Sequence, residues 1–231
     1  MRFHSIAVFA IVLVPFVSKS QTNDFGIWTS IGAEKKFRDW DFETSGNLRS
    51  KDNSEQIDRL SLKVEGGYNI LKPVKVGLSY EYMYFNDIKY SDFQNRHRFS
   101  GYLQGKQKLG RFSFYLTERM QVTTKDESDR IKSSGNIDSY RANPAWTWRN
   151  KFKVSYNIRK SPITPAFAVE SYFLLNDPEG SDFYKIRYTM EISYKLSRNH
   201  NLKVFGLFDH EINVTNSVNS YISGIEYNYS F

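Results

Sequence analysis

The chain has 231 residues, enough for one all-β domain, and Phe, Tyr and Trp make up 16% of it. Its formal net charge is +7 and it contains no cysteine, which excludes disulfides, thiol chemistry and a lipid-modified N-terminus. Low mean hydropathy does not exclude a membrane barrel, because about half of each strand's side chains in such a barrel face a polar lumen.

The first residues read as a secretory signal. Arg2 supplies the positive n-region, and Ile6 to Val17 is an apolar run too short to span a bilayer. Ser18 and Ser20 are the small residues of a cleavage site before Gln21. Residues 1–20 are therefore expected to be cleaved, leaving 21–231 as the mature domain. Loss of Arg2 and Lys19 lowers the formal charge from +7 to +5. After this segment no uninterrupted apolar run is long enough for a membrane helix.

Residues then alternate with a period of two, the strand signal. Phe25, Ile27, Thr29, Ile31 and Ala33 share one face, with Trp28 opposite. Trp40, Phe42, Thr44, Gly46 and Leu48 oppose Asp39, Asp41, Glu43 and Arg49. After a polar loop at 50–56, Leu60, Leu62, Val64, Gly66, Tyr68 and Ile70 face away from Arg59, Lys63 and Glu65. A Lys72-Pro73 turn leads to Val76, Leu78, Tyr80, Tyr82 and Tyr84, with Glu81 behind them. Beyond a loop at 86–95, Phe99, Gly101 and Leu103 alternate with Arg96, Arg98, Tyr102 and Gln104. Phe112, Phe114, Leu116, Met120 and Val122 follow, opposite Arg119. Glu118 falls on their apolar face, a misfit that predicts a bulge or a strand end.

The longest polar stretch runs from Thr123 to Pro144. Trp146, Trp148, Phe152, Val154, Tyr156 and Ile158 then oppose Arg149, Lys151 and Lys153. Pro162 and Pro165 mark a turn before Phe167, Val169 and Phe173, with Glu170 and Tyr172 opposite. Tyr184, Ile186, Tyr188, Met190, Ile192 and Tyr194 oppose Lys185, Arg187, Thr189 and Glu191. Leu202, Val204, Gly206 and Phe208 oppose Lys203 and Asp209. The last strand sets Tyr221, Ile225, Tyr227, Tyr229 and Phe231 against Glu226 and Asn228. Ending on an aromatic residue, it resembles the strand by which outer-membrane barrels are recognised by the insertion machinery.

Connections alternate short and long from Leu71 onward, the rhythm of periplasmic turns and extracellular loops. Trp146, Trp148, Tyr80, Tyr82, Tyr84, Tyr188, Tyr227, Tyr229 and Phe231 form the expected lipid face and aromatic girdles. The fold expected is an antiparallel transmembrane β-barrel of ten to twelve strands. The alternation yields about eleven, and bacterial single-chain barrels have even numbers. An odd count points the first strand the wrong way, so it lies partly outside the wall or a strand is missed or split, and twelve is favoured.

Several segments resemble a known family. Asp24-Phe25-Gly26-Ile27-Trp28-Thr29-Ser30-Ile31-Gly32 with Glu34-Lys35-Lys36 is similar to the opening of the uncharacterised barrel family catalogued as domain of unknown function 2490. Gly66-Gly67-Tyr68-Asn69-Ile70 with Val76-Gly77-Leu78-Ser79-Tyr80-Glu81-Tyr82 resembles its second hairpin. Arg96-His97-Arg98-Phe99 and Glu118-Arg119 resemble its Arg-rich strands. The family more often has Tyr-Arg where this chain has Tyr80-Glu81, so no role carries over to that position. The resemblance implies an outer-membrane barrel of unknown activity, with no catalytic residue to transfer.

Enzyme chemistry would need a nucleophile and a base in hydrogen-bond reach. His200 lies in a turn, and His97 and His210 point by parity to lipid near the rim, with Asp87, Asp92 and Asp209 nearby. These are read as interfacial histidines, and no catalytic residue is assigned. Asp126-Glu127-Ser128-Asp129 and Asp177 to Asp182 lack a complete calcium-loop pattern, so no metal or cofactor is expected. Aromatics and charges sit on opposite faces, which argues against nucleic acid and for lipid and lipopolysaccharide outside with a charged lumen inside. The lumen is expected to carry Arg59, Lys63, Glu65, Glu81, Arg96, Arg98, Arg119, Arg149, Lys151, Lys153, Glu170, Lys185, Arg187, Glu191, Lys203, Asp209, Glu211 and Glu226. Mixed charges of that bulk predict a structural salt-bridge network. The alternatives are a narrow pore for small anions, and a rim hydrolase or surface receptor.

Overall fold

The computed structural model describes residues 22–87, 89–90, 92–178, 180, 183–214 and 217–231. The signal-peptide assignment, its cleavage before Gln21 and the end of the 177–182 loop lie outside the described residues.

The described residues form eleven strands and no helix: β1 (Thr22–Phe37), β2 (Trp40–Lys51), β3 (Gln56–Leu71), β4 (Val74–Asp87), β5 (Asp92–Leu109), β6 (Phe112–Lys125), β7 (Ala145–Tyr156), β8 (Ile163–Leu174), β9 (Phe183–Lys195), β10 (His200–Glu211) and β11 (Val218–Ser230). Neighbours in sequence pair antiparallel, and the sheet closes where β1 meets β11. That seam is parallel, running from Thr22 against Val218 to Glu34 against Ser230. Eleven strands replace the favoured twelve, and among the described residues no strand lies outside the wall. A parallel seam lets an odd number close, because β1 then begins at the rim where β11 begins.

Closure follows from the pleat. An open sheet would leave two rows of unpaired N–H and C=O groups, and in lipid each such group is worth several kcal/mol. The tight connections, Arg38–Asp39, Lys72–Pro73 and Gly110–Arg111, gather at one rim. At two of them the backbone enters the left-handed region, with φ of 56° at Arg38 and 59° at Gly110. The other rim carries the 126–144 connection.

The barrel is polar within and apolar without. Leu78 is 73% exposed and Leu62 66% exposed on the outer wall, whereas Glu170 is 5% exposed and Asp209 7% exposed within. Fully enclosed Met83, with Tyr102, Tyr172, Leu207 and Ile222, fills gaps between the inner charges. Two aromatic rings press against inner glycines. A Cβ on Gly77 would fall 2.4 Å from the Tyr102 ring, and one on Gly224 would fall 2.1 Å from Phe205.

The sequence expectation at Glu118 is corrected. β6 pairs with both neighbours without a register shift there. Glu118 stays on the outer face, where Trp148 Nε1 donates to its carboxylate at 2.9 Å and the Asn150 amide faces it. Hydrogen bonding to two neighbours on β7 takes the place of a bulge. The bulges lie instead at Arg49/Ser50, Asn69/Leu71 and Tyr172/Phe173. Pro165 is likewise inside β8, opposite Ile192, and not in a turn.

Candidate functional site: the charged lumen

Alternation along each strand sends one residue in two inward, so the lumen is built from every strand at once. A chamber of about 920 Å³ runs within it. Its lining includes Arg59, Glu81, Arg98, Arg119, Arg149, Lys151, Lys153, Glu170, Arg187 and Glu226. Glu65 and Glu191 meet this set through ion pairs with Arg119 and Lys153, the first at 3.4 Å.

The charges are tied in groups. Toward the tight-turn rim, Lys75 meets Asp41 at 2.9 Å, Lys63 meets Glu65 at 2.6 Å and Lys203 meets Glu226 at 3.0 Å. Arg119 reaches from β6 to Glu65 on β3, and its Nη1 donates to Ser79 on β4 at 3.3 Å. Further along, Glu81 accepts from Arg98 at 3.1 Å and from Ser61 at 2.9 Å. Glu170 accepts from Arg149 Nε at 3.0 Å and from the Tyr172 hydroxyl at 2.9 Å. Asp209 receives both arms of Arg187, at 2.6 and 2.7 Å, with Lys185 at 3.4 Å. The two parallel N–H donations of Arg187 are the bidentate geometry that makes guanidinium–carboxylate pairs strong.

Arg96 lies higher, its guanidinium 3.3 Å from the Phe85 ring centre. There the 126–144 connection folds onto the barrel. Arg130, 6% exposed, meets Asp87 at 3.3 Å and Asp138 at 3.2 Å. The Tyr140 hydroxyl donates to Asp87 at 2.9 Å and accepts from Arg96 at 2.9 Å. Lys89 and the Tyr90 hydroxyl donate to Asp138 at 2.6 and 2.7 Å. Those two hydrogen bonds, Lys89 first, hold the Asp138 carboxyl well below the usual carboxylate range. Sequence reading gave this stretch only as polar loop; Arg130 and Tyr140 have partners on β4 and β5, and Asp138 meets Lys89 and Tyr90 in the connection between those strands.

The outer aromatic residues divide between the rims. Trp146, Trp148, Tyr82, Tyr84 and Tyr188 lie toward the long connection, and Tyr227, Tyr229 and Phe231 toward the tight turns; Tyr80 lies between, its ring tilted against that of Phe99 with centres 5.0 Å apart. The histidines are outside too. His97 Nδ1 is 2.8 Å from the Tyr80 hydroxyl and His210 Nδ1 is 2.8 Å from Asn219 Oδ1, while His200 meets the Tyr227 hydroxyl. Asp87 and Asp209 turn instead to arginines, and Asp92 caps the Phe93 amide at 2.7 Å.

Arg49 and Trp28 line the lumen, although the sequence reading placed neither among its lumen residues. The Arg49 guanidinium stacks 4.0 Å from the Trp28 ring centre, and Arg187 lies 5.1 Å from the same ring. The available signal was Trp28, out of phase with the apolar face of its own strand.

A closed antiparallel barrel with one parallel seam, apolar outside and filled with paired charges, defines a wall-forming β-barrel protein. The chain belongs to the family described as Protein of unknown function (DUF2490), whose model matches residues 25–220. No curated protein matches it. Among solved structures it is similar to the β domain of the Bordetella autotransporter Brka, at 8% identity with a TM-score of 0.47, covering 81% of this chain and 82% of that one.

Proposed function

We propose that the protein is an outer-membrane barrel whose charged interior is structural and passes no steady ionic current. One observation carries this reading: the lumen carboxylates Glu65, Glu81, Glu170 and Asp209 each bind one or two cations, so most inner charges are spent on holding the wall together. Breaking such a pair strands a charge away from water, at about 3–5 kcal/mol. The membrane assignment is supported by the continuous belt of Leu, Ile, Phe and Tyr on the outer wall, far beyond the apolar patch a soluble monomer exposes. Lipid and lipopolysaccharide are the partners that belt would take, and the aromatic β11 face fits the barrel-insertion machinery. The reading is non-catalytic, supported by histidines engaged with phenol or amide oxygens.

A second reading has its own observation. The chamber of about 920 Å³ is lined by more basic than acidic side chains, which favours a narrow pore for small anions. Planar bilayers separate the two. The structural reading expects no steady channel steps at neutral pH. Reproducible anion-selective steps, lost when Arg149 and Lys151 are replaced by Gln, would establish the pore in its place.

A further inference from the structure

The register of β2 on β3 sets Arg49 directly opposite Arg59, and both side chains line the chamber. Like charges directly opposed across a strand pair are destabilising unless something lies between them. Arg59 has a carboxylate of its own, Asp58 at 2.6 Å. Arg49 has none within ion-pair distance among the described residues; its only close partner is the Trp28 ring at 4.0 Å. Stacking on an indole satisfies the face of a guanidinium and leaves the in-plane N–H donors directed at the chamber. Arg187 approaches the same ring at 5.1 Å, with Nε and Nη2 committed to Asp209 and Nη1 uncommitted.

We propose that Arg49, held on the Trp28 ring, and Arg59 opposite it form a binding site for a free oxyanion of the phosphate or sulfate class. This deepens the reading of the lumen as a filled network, since the anion would complete the neutralisation that the protein's own carboxylates leave unfinished. An aromatic ring that fixes the plane of Arg49 pre-organises two parallel N–H donors, the geometry that suits a tetrahedral oxyanion and gives chloride no second oxygen to engage. An oxyanion between the two guanidiniums also removes the repulsion that the register imposes. Trp28 is the one tryptophan on the inner face, because Trp40, Trp146 and Trp148 alternate outward.

The full-length mature barrel, refolded in detergent in a chloride buffer, is titrated with inorganic phosphate by calorimetry and by tryptophan emission. Saturable binding is expected, with an emission change that Trp28→Phe abolishes. Arg49→Gln should weaken binding by about tenfold or more, the factor that even one of its two charge-assisted hydrogen bonds is worth. Arg49→Lys keeps the charge but loses the fork and should also weaken it, which keeps the test decisive should the Gln variant not fold. Lys203→Gln, which breaks only the pair with Glu226, should bind as the parent does. Absence of saturable phosphate binding, or parent-like binding in a folded Arg49 variant, would overturn the site. Channel steps in bilayers would overturn the structural reading alone and leave phosphate binding to stand on its own titration.

Discussion

Met190 and Thr189 are adjacent in β9 and meet opposite worlds. Met190 is 57% exposed on the outer wall beside Phe167 and Gly206, while Thr189 turns inward between Arg187 and Glu191. Arg in place of Met190 puts a cation among aliphatic side chains near mid-depth, which costs about 2–4 kcal/mol in a barrel wall. Thr189→Arg should cost distinctly less, because Glu191 lies on the same face and can accept from it. Urea midpoints of the two variants refolded in lipid vesicles check this, and a larger loss for Thr189→Arg would mean the register is off by one. The same alternation explains why Glu118 is tolerated outside: a carboxylate held by an indole N–H and an amide is far less exposed to the cost of desolvation than a bare one.

At the scale of elements, the connection between β6 and β7 is held by charge more than by apolar contact. Asp138 is its centre, gripped by Lys89, Tyr90, Arg130 and Lys132. Because its folded pKa is depressed, the stabilisation is complete above the ordinary carboxylate pKa. It is lost only as pH falls through the lowered folded value. The loop should therefore stay pinned from neutral pH well into the acid range. Asp138→Asn should release it already at pH 7, and limited proteolysis within 126–144 should become distinctly faster in the variant. Equal cleavage of parent and variant at pH 7 would remove Asp138 from that role. The strands themselves run further than turn chemistry alone indicates. β4 continues to Asp87 and β5 starts at Asp92, because Asp87 and Gln94 face inward where Arg130 and Tyr140 supply partners.

For the whole molecule, the decisive feature is the parallel seam. It is testable without background, since the chain has no cysteine of its own. Phe25 faces Tyr221 across β1 and β11, both on the outer wall. Cys replacing each should form a disulfide on mild oxidation, since adjacent strands bring Cα atoms into the range such a bond spans. Phe25→Cys combined with Tyr227→Cys, several residues out of register, should not cross-link. Cross-linking of only the second pair would place β1 on β11 in another register, and cross-linking of neither would leave the barrel open or closed by a further strand.

The amino-acid sequence by itself determined the class and the facing of each strand. A period-two pattern with aromatic and aliphatic residues on one side and Arg, Lys and Glu on the other has few solutions other than a closed barrel, and local parity is enough to send Arg149, Glu170 and Arg187 inward. Tertiary structure decided what parity cannot reach. Whether an odd number of strands closes depends on how the first meets the last, two segments at opposite ends of the chain. Which charges pair depends on register, and register depends on bulges such as that at Arg49/Ser50, which leave little local trace. Arg49 opposing Arg59 follows from the register of one hairpin, whereas Arg119 reaching Glu65 and Arg130 covering Asp87 join strands or loops far apart in sequence. Only the curvature and closure of the wall bring these last two pairs within a few ångströms.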